Sequence, residues 1–192
     1  MKGSEDDGHQ GVDQDVIERA KAGDPASFEI LIHHYDRGLR TLAYRMLEDS
    51  SADDVLQDAY LKAYRALPNF RTGEGSVGAW FHRIVYRTCI DHLRGVRRDA
   101  GLLIEESDNQ PSSLNPFDEL VAQRMDLVAA LQRLSPEDRA CVVLVDVLGF
   151  DYQATATVLA VPRGTVASRL NHARGVLRKA LDITSNTTRE DD

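Results

Sequence analysis

The stretch Val161 to Arg174, VPRGTVASRLNHAR, gathers Arg163, Arg169, His172 and Arg174 without one acid, in a chain of net charge −8. Guanidinium forks and imidazoles at that density suit phosphates and the acceptor-rich edge of guanine. Gly164, Thr165, Ala167 and Ser168 are small enough for backbone to approach such a ligand. A carboxylate facing phosphate would be repelled, which accounts for the missing acids. An amphipathic helix with a solvated cationic face has the same spacing.

A second basic block runs from Lys62 to Arg98. Its bases are Lys62, Arg65, Arg71, Arg83, Arg87, Arg94, Arg97 and Arg98, against Glu74 and Asp91. Between the blocks, Gly101 to Glu119 holds Glu105, Glu106, Asp108, Asp118 and Glu119 and no base. Net charge read globally argues against a nucleic-acid partner. The local order of basic, acidic, basic argues for one.

Catalytic and metal chemistry find little support. His33 and His34 are adjacent, so they point to different faces of a helix. No H-E-x-x-H or paired-cysteine spacing occurs. No catalytic residue, metal or cofactor is expected. A helical metal hydrolase using His33, His34, Asp36, His82 or His92 is the remote alternative. Cys89 and Cys141 lie far apart inside helical patterns and read as reduced, buried thiols, with a redox pair or a metal site as the other reading. No run approaches the roughly 18 apolar residues of a membrane span, and MKGSEDDGHQ lacks an apolar signal core. A cytoplasmic chain, with no membrane insertion, is expected.

The elements that must position these residues are helices throughout. Asp13 to Ala22 is a short helix stopped by Gly23. Asp24 caps the next, with Pro25 in its first turn. Phe28, Leu31, Ile32, Tyr35, Leu39, Leu42, Ala43 and Met46 mark one face of that long helix. Ser50 or Ser51 caps a third, with Asp53 and Asp54 in its positive first turn. Pro68 ends it. Ser76 caps a fourth, running to about Arg98, with Trp80, Phe81, Ile84, Val85 and Cys89 inward. Gly101 to about Pro116 has two prolines and no periodicity and reads as a linker.

A second helical domain follows. Asp118 to Leu131 is one helix. Ser135, Pro136 and Asp138 open another that Gly149 stops. Tyr152 to Ala160, a turn at Val161-Pro162, and a helix from Arg163 to about Leu181 have the layout of a helix-turn-helix. The predicted fold is all-α. It has a disordered start at 1–12, a domain at 13–99, a flexible acidic linker at 100–117, a domain at 118–182 and a disordered tail at 183–192.

Leu134, Arg139, Gly149, Tyr152, Gly164-Thr165-Val166, Ser168-Arg169-Leu170 and Ala173-Arg174 resemble region 4 of an extracytoplasmic-function (ECF) sigma factor. That is a subfamily of the sigma-70 family of bacterial RNA polymerase sigma factors. Asp54-Val55-Leu56-Gln57-Asp58, Trp80-Phe81-His82-Arg83-Ile84 and Asp91-His92-Leu93-Arg94 resemble region 2. The resemblance covers about Asp13 to Leu181, with both regions in the family order.

The resemblance implies a non-enzymatic, alternative, stress-responding factor that lends core RNA polymerase its promoter specificity. Asp54, Leu56, Gln57 and Asp58 would dock on the polymerase. Phe70, Arg71, Thr72, Ser76, Arg83, Arg87, Asp91 and Arg94 would handle the −10 element. There a melted strand needs a basic groove and a pocket for an unstacked base. Trp80 reads as core before stacking platform. Arg163, Gly164, Thr165, Ser168, Arg169, His172 and Arg174 would read the −35 duplex. Promoter DNA, core polymerase and an anti-sigma factor are the implied partners. The family commonly has Asn at position 87, Glu at 154, Lys at 167 and Pro at 135, where this chain has Arg87, Ala154, Ala167 and Ser135. A stand-alone helix-turn-helix regulator is the alternative; it would need no docking helix and would usually dimerise.

Overall fold

The computed structural model describes residues 12–47, 51–71, 75–101 and 129–187. Every regular element among them is helical. The first helix, α1 (Gln14–Lys21), starts where the Asp13 carboxylate accepts from the Asp15 N–H. Gly23, at φ +94°, turns the chain back. Asp24 then accepts from the N–H groups of Ala26 and Ser27, at 3.3 and 3.2 Å, and opens α2 (Pro25–Met46). Leu31, Leu39, Leu42, Ala43 and Met46 form its buried face.

At the start of the third helix, α3 (Ala52–Ala66), the Ser51 side chain makes no cap bond, and Ser50, the other cap expected, lies outside the described residues. Asp53 and Asp54 in the first turn, favoured by the positive helix end, remain the start signal. Pro68 falls within a 3₁₀ turn, Leu67–Asn69, which closes α3. Ser76 Oγ accepts from the Ala79 N–H at 3.1 Å and opens α4 (Val77–Gly101). Val77, Phe81, Val85 and Cys89 are its buried spine.

In the second half, residues 129–132 are helical. Ser135 Oγ accepts from the Asp138 N–H at 3.1 Å to start α5 (Pro136–Val142). The sequence predicts one α-helix from here to Gly149. Instead Val143–Val147 winds as a π turn, which takes up one residue more than an α turn. Gly149, at φ +73°, then redirects the chain. Asp151 caps α6 (Tyr152–Leu159) through the Ala154 N–H at 2.7 Å. Ala160 adopts the left-handed conformation at φ 56°, and α7 (Arg163–Thr187) follows. The sequence places the end of this helix near Leu181 and an unstructured tail from 183. The helix instead continues to Thr187. Residues 1–11, the linker beyond Gly101, most of the helix expected from Asp118, and 188–192 lie outside the described residues.

The two halves do not have separate cores. Buried side chains of α1 to α4 and of α5 to α7 form one continuous cluster. α4 packs along α6, and α2 meets α5 and the π turn. Phe150, just after the π turn, lies edge-to-face on His82 of α4, with centroids 4.8 Å apart. No described helix is long and apolar enough to cross a membrane.

Candidate nucleic-acid interface

Helix α3 separates two chemistries by its period. Val55, Leu56, Ala59 and Ala63 are buried. Asp54, Gln57 and Asp58 are exposed on the other side, where Asp58 meets Lys62 at 2.7 Å. Leu61 and Tyr64 stand on that same outer face, 56% and 42% exposed. Leu56 is only 1% exposed, so it anchors the helix and cannot itself touch a partner. The outer face thus combines carboxylates, an amide and two large apolar groups in water.

Helix α4 presents Arg87, Asp91 and Arg94 to solvent and half-buries Arg83. Arg97 and Arg98, which the sequence reading left out of the site, continue this stripe. With Asp91 and Arg94 they line an open groove of about 500 Å3. Their spacing of three and four from Arg94 was the available signal. Asp91 also lines a second groove, of about 420 Å3, with Asp54, Asp58 and His92. It therefore stands on the ridge between the acidic face of α3 and the basic stripe of α4.

In the loop before α4, Arg71 is exposed and Thr72 lies outside the described residues. Phe70 is 5% exposed and packs on Trp80, centroids 5.3 Å apart. Trp80 in turn packs on Phe81 at 5.1 Å. The aromatic groups here support the loop from below. Ser76 uses its hydroxyl as a cap acceptor.

Val166, Leu170 and Ala173 of α7 are buried. The reverse face exposes Arg163, Gly164, Ala167, Ser168 and His172, with Thr165 half-buried. Ser168 Oγ donates to the Thr165 carbonyl at 3.0 Å. Two of the basic side chains are aimed by acids. His172 Nδ1 lies 3.1 Å from Asp138, and Arg174 Nε donates to Asp146 at 3.1 Å while a second nitrogen takes the other oxygen. Sequence reading missed Asp138 and Asp146 as orienting groups, because they are 34 and 28 positions from their partners. Arg169 is half-buried beside the Cys141 thiol. Burial pushes the Cys141 thiol up to about 11, with Arg169 opposing. Burial likewise raises the Tyr86 phenol; Glu137 adds to this and Arg169 opposes it. Among the described residues, no cluster of His, Cys, Asp and Glu is arranged to hold a metal.

A short helix, a tight turn and a second helix with small and cationic first turns define a helix-turn-helix. Joined in one chain to a helix with an arginine stripe, they define an all-helical, two-part nucleic-acid reader. Comparison with known proteins specifies the class further. The Sigma-70 region 2 model matches residues 31–99, and the Sigma-70 region 4 model matches 124–177. ECF RNA polymerase sigma factor SigM of Mycobacterium tuberculosis is 37% identical over 179 residues, covering 90% of this chain and 86% of that protein. RNA polymerase sigma-H factor of Pseudomonas aeruginosa is 34% identical over 184 residues, covering 88% and 93%. Among solved structures, CnrH in complex with the cytosolic domain of CnrY matches 89% of this chain and 97% of its own. Its TM-score is 0.67 and its identity 23%, a likeness of fold. Sigma factor RpoE of Bartonella quintana, in complex with the anti-sigma factor NepR, matches 81% and 97%, with TM-score 0.65 and 25% identity. The chain belongs to the ECF sigma factors of the sigma-70 family, which bind core RNA polymerase and direct promoter-specific transcription initiation.

Proposed function

We propose that this division of faces is a division of labour in initiation. Residues 13–99 serve as region 2 and 118–182 as region 4, with 100–117 as the link. Asp54, Gln57 and Asp58, with Leu61 and Tyr64 beside them, dock on core polymerase. Arg71, Arg83, Arg87 and Arg94, extended by Arg97 and Arg98, carry the backbone of the −10 strand. The first turns of α7, from Arg163 to Ser168, enter the major groove of the −35 element, and His172 and Arg174 contact phosphates. Nothing in this scheme asks the chain to perform covalent catalysis, and its place of action is the cytoplasm.

The observation that carries the reading is the pairing, within one chain, of an acid-free helix-turn-helix and an arginine-striped helix. The 16 residues of the link after Gly101, 102–117, reach at most about 3.6 Å each, on the order of 58 Å in all. The complex of sigma factor RpoE with the anti-sigma factor NepR supports a regulatory protein of the anti-sigma kind as a further partner. Run-off transcription with core polymerase over a genomic promoter library tests the whole. Discrete start sites that depend on the added protein are expected. Their absence on every template would refute the reading.

A further inference from the structure

The outermost row of α7 is made of small, uncharged residues. Val166, Leu170 and Ala173 point into the core and fix the phase of the helix. Steps of four, three and four then carry Gly164, Ser168, Asn171 and Gly175 along the side turned away from the core. Arg163, Arg174 and Arg178 fall on one flank of this row and His172 on the other. Glycine, serine and asparagine are weak helix formers, and a solvated helix face is better served by alanine, glutamate or lysine. Packing within the chain does not call for the two glycines, since a Cβ placed on Gly164 or Gly175 would meet nothing within 4 Å. Their smallness therefore serves a ligand that approaches from outside. The row is about 16 Å long at about 1.5 Å per residue, the rise of about five base pairs.

Within the row, one side chain is equipped to hold a base by two bonds. Ser168 Oγ already donates to the Thr165 carbonyl. Asn171 is exposed, and among the described residues its carboxamide has no hydrogen-bond partner. A carboxamide offers a donor and an acceptor side by side. In the major groove adenine alone presents the matching acceptor and donor on one base, N7 and N6–H. Guanine offers two acceptors there, which would set Oδ1 against O6. We propose that Asn171 is a specificity-determining residue of the −35 reader. Its Nδ2 donates to N7 of one adenine and its Oδ1 accepts from N6, while Gly164 and Gly175 let the helix sink to the depth this needs. The flanking arginines and His172 then meet phosphates on either side. The inference rests on the assignment of α7 to the −35 duplex and extends its reading face by about one turn past Ser168.

Run-off transcription with core polymerase, over templates randomised across the −35 element and fixed at −10, tests this. The native chain should prefer adenine at one −35 position by about ten- to a hundredfold. Asn171→Ala should flatten that position to less than about threefold and leave every other preference in place. Asn171→Arg should move the preference there to guanine, whose two acceptors suit a guanidinium. Affinity for core polymerase, measured by competition, should stay unchanged in both. Gly175→Ala should raise the urea midpoint, because alanine favours a helix, and yet lower −35-dependent initiation severalfold. An adenine preference that survives Asn171→Ala, an equal loss on all templates, or a position that Asn171 governs but that prefers another base overturns the pairing. Unchanged initiation by Gly175→Ala overturns the close approach. A native chain that initiates without any −35 preference, or never initiates, refutes the assignment of α7 itself, and the pairing falls with it.

Discussion

At the scale of residues, the basic side chains of α7 fall into two groups. Arg163 projects freely into solvent, whereas His172 and Arg174 are held by Asp138 and Asp146. A guanidinium fixed by a carboxylate loses less rotamer entropy on meeting phosphate, at the cost of sharing its donors. Arg163→Ala should reduce −35-dependent initiation by about ten- to a hundredfold, the value of one good base or phosphate contact. Core-polymerase affinity, measured by competition, should stay unchanged; its loss would make Arg163 structural. The buried thiols predict an alkaline limit. Burial raises Cys89 to about 12 and Cys141 to about 11 from 9.0. The folded chain therefore keeps protons that the unfolded chain releases. Their contribution is full below about pH 9 and is lost as pH rises towards 11 and 12. Tyr35, Tyr60 and Tyr86, also raised by burial, act in the same direction. Urea midpoints should hold to about pH 9 and fall above it, less steeply in Cys89→Ala. Midpoints level to pH 11 would contradict this.

At the scale of elements, what could be read in advance was what is coded locally. Asp24 with Pro25, Ser76, and Ser135 with Pro136 mark helix starts because a cap needs only residues three apart. Gly149 marks a stop because its φ is positive. The π turn was not legible, since VVLVDV satisfies an α period as well; packing against α2 and α6 accompanies the extra residue. The orienting acids escaped notice for the same reason, being local to nothing. Ala160 is the one described non-glycine residue with positive φ, in the turn between α6 and α7. Ala160→Gly should raise stability by about 0.5–1 kcal/mol, because relief of the left-handed penalty exceeds glycine's entropy cost. A lowered urea midpoint would show that the Ala160 methyl contributes packing.

At the scale of the molecule, the charge order basic, acidic, basic announced two readers and a spacer, but composition carries no information on how the readers pack together. That arrangement depends on Arg139 reaching Met46 across 93 positions. Arg139→Met should cost about 3 kcal/mol in urea unfolding, because buried carbonyls then lack a donor. Arg139→Lys should recover only part, as one ammonium cannot match three divergent acceptors. Equal stability of Arg139→Met and the native chain would place those carbonyls in contact with water.

The π turn fixes more than its own five residues. Everything after it, both helices of the duplex reader included, inherits its angular phase. A further residue inserted after Val145 would exceed what the π turn absorbs and turn the following chain by about 100° relative to α5. Phe150 would then point away from His82. A single-codon insertion here should leave helix content by circular dichroism nearly intact while abolishing initiation. In a lineage of such proteins, insertions would therefore be tolerated in the link between the halves and purged at Val143–Val147.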